Sequence, residues 1–200
     1  MGRVMRLRFA LLAALALNGC AAAAAVSAIP GVFVDKAVGF FSGQDVSLAL
    51  DMQRSLAAVQ QGLEHMSLHV NVLEPVNDGY RLEFGNGELD GDIYLQRLTA
   101  RLTTMTVSAH RGLKHQASVE SAIVKEVRGV SMDAGEQDRF SFEGYKRIYE
   151  KTDEASRELG WFLPGQKMHV DKTNRDGWLR LKLPSGSEAF IEGSLKGDGA

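Results

Sequence analysis

The stretch LHVNVLEPVNDGYRLEF, residues 68–84, decides how the first half of this chain folds. Apolar and polar residues alternate on both sides of the pair Asp78-Gly79, and this pair is strongly favoured in tight hairpin turns. We therefore predict two antiparallel strands, over 68–74 and 80–84, joined by a turn. A strand with one apolar face needs a covering layer, and the flanking sequence supplies one.

Helical periodicity lies on both sides of this hairpin. Over 44–66, apolar residues recur at steps of three and four, which predicts an amphipathic helix with Ser42 or Asp45 as its N-cap. The remaining elements are two strands and a helix, predicted over 93–101, 104–110 and 117–128. This order predicts an α+β domain over 44–128, in which a helix, a four-strand antiparallel meander and a second helix follow one another with both helices on one face.

The C-terminal segment 145–195 has short β runs separated by Gly-containing turns, which predicts a small all-β unit. Residues 129–144 are polar and lack periodicity, so they are predicted to be a linker. The landmarks of the β unit are Leu159-Gly160, Leu163-Pro164-Gly165, Gly177-Trp178 and Gly186. Their order resembles that of the bacterial SH3-like domain, although Ala189-Phe190-Ile191 replaces the usual Gly-Trp-Val. The resemblance implies a small barrel that binds peptide or peptidoglycan, or packs as a scaffold.

Five aromatic residues are candidates for ligand contact in this SH3-like unit. Trp178 matches the aromatic of the family's Gly-Trp strand, and a position in the barrel core is its alternative role. Trp161 and Phe162 replace what is often a polar pair, which suggests an exposed apolar contact. Tyr149 would line a groove for an extended peptide, and Phe190 occupies the second aromatic landmark.

The first 19 residues have the composition of an export signal. Three arginines precede nine apolar residues at 9–17, with no acidic residue. A helix needs about 20 apolar residues to span a bilayer, so this run is too short. It leads into Leu17-Asn18-Gly19-Cys20, which resembles the lipobox of bacterial lipoproteins. The resemblance implies cleavage before Cys20 and acylation of its sulfur and amino group, and the alternative is an uncleaved anchor that continues to Val34.

The lipobox resemblance also implies a location. Ala21, rather than Asp, follows the cysteine, which in such lipoproteins implies the outer membrane, facing the periplasm. Residues 20–43 are rich in Ala and Gly and are predicted to be a membrane-proximal tether, or alternatively a segment that enters the lipid interface. Together with the predicted α+β domain, this layout over 20–128 resembles a family of small bacterial lipoproteins of unknown function.

Charge and motif content exclude several functions. Removing the signal leaves 20 basic against 25 acidic residues, a net charge of −5, which argues against nucleic-acid binding. His65 and His69 straddle a predicted helix–strand junction, so they do not share a face for a metal ion. Asp90-Gly91-Asp92 is interpreted as a turn, and no acid/base pair converges. We therefore predict no metal, cofactor or catalytic site. We predict a non-enzymatic envelope lipoprotein, anchored at Cys20, that binds or scaffolds by contacting peptidoglycan or a protein partner. The alternative is an accessory or targeting subunit of a cell-wall enzyme or envelope complex.

Overall fold

The computed structural model describes residues 43–195, so the predicted signal, Cys20 and all but the last residue of the predicted tether lie outside the described residues. In chain order, the elements are β1 (Gln44–Leu48), α1 (Met52–His65), β2 (His69–Val76), β3 (Gly79–Gly85), β4 (Asp90–Thr99), β5 (Leu102–Arg111), β6 (Lys114–His115), α2 (Ala117–Asp133), β7 (Lys146–Tyr149), β8 (Glu158–Phe162), β9 (Val170–Lys172), β10 (Trp178–Lys182) and β11 (Glu188–Glu192).

All the strands belong to one antiparallel sheet of 11 strands, in the order β1-β5-β4-β3-β2-β8-β7-β11-β10-β9, with β6 paired to β5. The predicted fold class, a helix–meander–helix domain followed by a separate SH3-like barrel, is therefore wrong. The strands of both segments belong to the same sheet, and this sheet does not close into a barrel. The two halves join where β2 pairs with β8, through Val72 opposite Phe162 and Leu73 opposite Trp161. A strand at a sheet edge offers unpaired N–H and C=O groups, and here β8 satisfies those of β2.

The sheet buries apolar side chains on opposite faces in its two halves. Helices α1 and α2 cover one face of the meander, where Phe84, Ile93 and Val107 are fully buried. The strands β7–β11 instead enclose a second core, which contains Ile148, Phe162, Leu179, Leu181, Leu183, Ala189 and Ile191. Strand β2 serves both cores, because Leu73 belongs to the first and Val72 to the second.

The start of the first helix differs from the prediction. Gln44–Leu48 is a strand paired with β5, and α1 begins at Met52. Its N-cap is Asp51, whose carboxylate accepts hydrogen bonds from the backbone N–H groups of Gln53 and Arg54 at 3.0 and 3.1 Å. The alternating burial of β1 shows a period of two, which the helical steps farther along the chain obscured.

The two predicted caps of this helix have other positions. Asp45 lies in β1, where its carboxylate accepts a hydrogen bond from the Thr106 hydroxyl at 2.6 Å, and Ser42 is outside the described residues. The four predicted meander strands correspond to β2–β5, and the second predicted helix corresponds to α2, which extends to Asp133. The stretch predicted as a linker contributes Phe140 to the first core.

Candidate functional site: a polar cleft on the sheet

The face of the meander opposite the helices carries polar side chains. They alternate along β3, β4 and β5 with the core residues, as the two-residue period of a strand requires. The turn between β10 and β11 lies beside this face, and together they enclose a cleft of about 560 Å³. We call it the polar cleft and define it by Arg81, Glu83, Asp92, Ser108, His110 and Lys182.

Two contacts hold the turn against the sheet. The backbone N–H of Ser185 donates to Oε2 of Glu74 at 2.8 Å, and Nη1 of Arg81 donates to the carbonyl oxygen of Pro184 at 3.4 Å. Glu74 and Arg81 are both buried. A hydrogen bond to a charged group contributes about 1.5 to 3 kcal/mol, which applies to the short bond at Glu74, whereas the longer contact of Arg81 is weaker. The wall of the cleft is therefore fixed by the C-terminal half, and its floor by the N-terminal half.

The floor is a row of three side chains across three strands. Glu83 on β3 is directly opposite Asp92 on β4, and Asp92 is directly opposite Ser108 on β5. Such neighbours have Cβ atoms about 4.5–5.5 Å apart and share one face. Ser108 is only 7% exposed. None of the three side chains has a hydrogen-bond partner within residues 43–195, so three oxygen-bearing groups line the floor without protein donors.

Burial and neighbouring acidic charge raise the pKa values of the two carboxyl groups. Burial, reinforced by the charges of Asp92 and Asp90, raises the pKa of Glu83 to about 7. Burial likewise raises the pKa of Asp92, although the charges of His110 and Arg81 oppose this shift. Glu83 can therefore hold or release a proton near neutral pH. In their ionised form, both groups are acceptors suited to a cationic donor.

The polar cleft does not contain a serine nucleophile activated by histidine. Ser108 and His110 are two residues apart on one strand, which separates their Cα atoms by about 7 Å. Within the described part of the chain, no hydrogen bond joins their side chains. The ring of His110 instead lies edge-on to that of His115, with the ring centroids 5.7 Å apart. An activated nucleophile needs its base at about 2.6–3.2 Å, so the arrangement suits binding better than acyl transfer.

None of the five aromatic residues predicted to contact a ligand lines the polar cleft. Three of them lie together on one face of the C-terminal strands. Trp178 is 8% exposed, its ring centroid is 5.8 Å from that of Tyr149, and Phe190 is directly opposite Tyr149 on the neighbouring strand. The guanidinium of Arg175 lies over the Trp178 ring at 5.8 Å.

The other two predicted aromatics are packed on opposite sides of the sheet. The ring of Trp161 contacts that of Phe142, with centroids 4.8 Å apart, and packs against the first core. Phe162 is 5% exposed and belongs to the second core. The two residues are consecutive in a strand, so their side chains point to opposite faces and do not form one joint surface.

The two histidines considered in the sequence are separated as predicted, since His65 ends α1 and exposed His69 begins β2. Nδ1 of His65 lies 2.8 Å from Oε1 of Glu126 at the surface, and Nε2 of His115 lies 2.6 Å from Oε1 of buried Glu120. Within residues 43–195, no group of three or more His, Cys, Asp or Glu side chains is arranged to hold a metal ion. The same residues contain no helix with the length and apolar character needed to cross a membrane.

Sequence reasoning missed the Glu83–Asp92 pair because it assigned Asp92 to a turn. The loop of this hairpin is 86–89, closed by the pair Gly85 and Asp90. The side-chain oxygen of Asn86 accepts hydrogen bonds from the backbone N–H groups of Glu88 and Leu89, both at 3.2 Å. The sequence signal for this pair is a four-residue hairpin loop that begins with Asn86-Gly87. Pairing the residues on either side of this loop, outward from Gly85 and Asp90, places Glu83 opposite Asp92.

Comparison of the chain with protein-family models, with curated proteins and with solved structures gives no match. The resemblance of Leu17–Cys20 to a lipobox stays a prediction.

Proposed function

We propose that this protein is a lipid-anchored binding protein of the bacterial cell envelope. Acylated Cys20 holds it at the outer membrane facing the periplasm, and the folded body binds peptidoglycan or an envelope protein through the polar cleft. The observation that carries the binding role is the row Glu83, Asp92 and Ser108, in which three buried or half-buried acceptors have no protein donor within residues 43–195.

The anchor is supported by the N-terminal sequence. Each methylene buried in a bilayer contributes about 0.8 kcal/mol, and stable anchoring needs more than one chain. A cysteine that is acylated on both its sulfur and its amino group meets this requirement. Cys20 is the only cysteine of the chain and follows an apolar run that is too short to span a bilayer. The described body begins 23 residues after Cys20.

A second candidate function is an accessory or targeting subunit of a cell-wall enzyme. The pKa of about 7 at Glu83 favours it, because a carboxyl group of that pKa can transfer a proton at neutral pH. In this case the cleft would receive part of the enzyme or its substrate. The binding role remains the first candidate, since the described residues place no activated nucleophile in the cleft.

Mass spectrometry of protein extracted from membranes tests the anchor. We expect Cys20 to be the first residue and to carry acyl chains, and we expect Cys20→Ser to stall processing or release the protein from the membrane. An intact Met1 in the membrane-extracted protein would contradict the anchor.

Sedimentation with purified peptidoglycan sacculi tests the partner, using the full-length protein in detergent. We expect the wild type and the control Asp176→Asn, an exposed carboxylate outside the cleft, to sediment equally. The variant Asp92→Asn should sediment at least several-fold less. If the wild type stays in solution, peptidoglycan is excluded as the partner and cross-linking to an envelope protein becomes the next expectation. If Asp92→Asn sediments like the wild type, the cleft is not the binding site.

A further inference from the structure

We propose that the polar cleft binds a small zwitterion of the amino-acid or short-peptide class. The ligand's ammonium group lies between Glu83 and Asp92 with the Ser108 hydroxyl as a third acceptor, and its carboxylate lies toward Lys182. This inference rests on the proposed binding function and names the chemical class of its ligand.

The floor of the cleft matches an ammonium group in number and kind. A primary ammonium has three N–H donors and no acceptor. The row across β3, β4 and β5 offers two carboxylates and one hydroxyl on the same face, in direct register. Ser108 is 7% exposed and lines the cleft. Its hydroxyl has no hydrogen-bond partner among the described residues, so it can accept from a ligand donor without giving up a bond within the protein.

The facing carboxylates favour a cation rather than a neutral ligand. Like charges directly opposite each other in a sheet are destabilising, and a positive group placed between them removes the repulsion. Burial is the main cause of the raised pKa of Glu83, and the charge of Asp92 adds to it. The titratable groups around Glu83 come from four other strands or turns and from its own strand. They are Glu74, Arg81, Asp90, Asp92, His110 and Lys182.

The buried arginine beside this row has another role. Nη1 of Arg81 donates to the carbonyl of Pro184 at 3.4 Å, and its guanidinium carbon lies 5.4 Å from the centroid of the Tyr94 ring. Arg81 belongs to the neighbouring row of side chains, opposite Tyr94 rather than Asp92. It braces the wall of the cleft, so the space directly over Glu83 and Asp92 is the place for the ligand's positive group.

The rim provides the opposite charge. Lys182 is exposed, lies at the end of β10 and lines the cleft on the side of the turn. Its ammonium is a compact charge on a flexible stem, which suits a ligand carboxylate of variable position. A volume of about 560 Å³ lies within the usual range of small-molecule sites. Acidic floor and basic rim together favour a zwitterion over a simple amine or a simple acid.

Titration of the full-length, detergent-solubilised protein with L-alanyl-L-alanine at pH 7.5 tests the proposal. We expect saturable binding with shifts of the Gly91 and Ser108 amide resonances. N-acetylation of the dipeptide removes the ammonium, and amidation of its C-terminus removes the carboxylate. Loss of a charge-assisted hydrogen bond, worth about 1.5–3 kcal/mol, should weaken binding about 10-fold or more in the acetylated form. Equal binding of the acetylated dipeptide, or no saturation by roughly 50 mM of the free one, would overturn the proposal.

Two variants locate the site. Asp92→Asn should weaken dipeptide binding about 10-fold. Glu143→Gln changes an exposed carboxylate that does not line the cleft and should leave binding unchanged. Unchanged binding by Asp92→Asn would place the dipeptide elsewhere and overturn the inference. Circular dichroism shows whether Asp92→Asn folds. If it does not, the binding of the free, acetylated and amidated dipeptides to the wild-type protein still tests whether the ligand's charges are recognised. If Cys20 is acylated but the dipeptide does not bind, this inference fails and the membrane anchor stands. If Met1 is intact but the dipeptide binds, the anchor fails and this inference stands.

Discussion

The two halves of the sheet protect their apolar side chains in opposite ways. The meander is covered by α1 and α2, whereas the strands from β7 to β11 form a core among themselves on the other face. The turn between β10 and β11 therefore comes to lie against the polar face of the meander, at Glu74 and Arg81. The polar cleft exists because the two cores are on opposite faces of one sheet.

The largest expected effect concerns the helix-covered core. Phe84 is fully buried there, and Phe84→Ala should lower the free energy of unfolding by about 3–5 kcal/mol. Because β2 contributes to both cores, we expect one cooperative transition in denaturant for the wild type and the variant. The fully exposed Leu113 offers a control, since Leu113→Ala should have little effect. Two separate transitions would show that the halves are independent.

A pH effect on stability should come from the cleft floor. The pKa of Glu83 is raised from 4.5 to about 7 in the folded protein, so the folded state binds this proton more tightly than the unfolded state. The contribution of Glu83 to stability should be greatest below pH 4.5, fall as the pH rises to about 7 and stay level above it. The fall is up to about 3 kcal/mol for this shift. Denaturant titrations at pH 5 and pH 8 should show it, and Glu83→Gln should remove most of it. An equal fall in Glu83→Gln would assign the effect to other groups.

The junction of the two halves should be sensitive to a single methyl group. A Cβ atom on Gly160 would lie 2.3 Å from the carbonyl oxygen of Leu73, in the paired strands β8 and β2. Gly160→Ala should destabilise the protein by about 1–3 kcal/mol, because backbone atoms must move. Gly129 in α2 has open space around it, so Gly129→Ala should instead be neutral or stabilising. The melting temperatures of the two variants measure this difference. An unchanged melting temperature for Gly160→Ala would argue against the pairing of β8 with β2.

The smallest expected effect concerns the boundary between β1 and α1. Asp51→Ala removes the side-chain acceptor for two backbone N–H groups and should cost about 1 kcal/mol. Asp45→Ala, at the cap predicted from the sequence, should cost less because this residue is an exposed strand position. The denaturant midpoints of the two variants show which substitution destabilises the protein more. The reverse ranking would place the helix start nearer Asp45.

Local patterns predicted the meander strands and the second helix, because a period of two or of 3.6 is a property of each segment alone. They did not predict strand pairing between segments that are far apart in the sequence. Pairing of β2 with β8 joins residues about 90 positions apart, and no periodicity encodes that choice. The opposition of Glu83 and Asp92 is different, since it follows from the length of one hairpin loop and was within reach of sequence reasoning.

Titration of the Glu83 carboxyl carbon by nuclear magnetic resonance tests the polar cleft most directly. This residue reports at once on burial under the C-terminal turn and on the neighbouring charge of Asp92. We expect a midpoint near pH 7 in the free protein and a lower midpoint when L-alanyl-L-alanine is added, because the ligand's ammonium stabilises the carboxylate. A midpoint near 4.5 that the dipeptide does not change would rule out both the raised pKa of Glu83 and the binding of an ammonium group beside it.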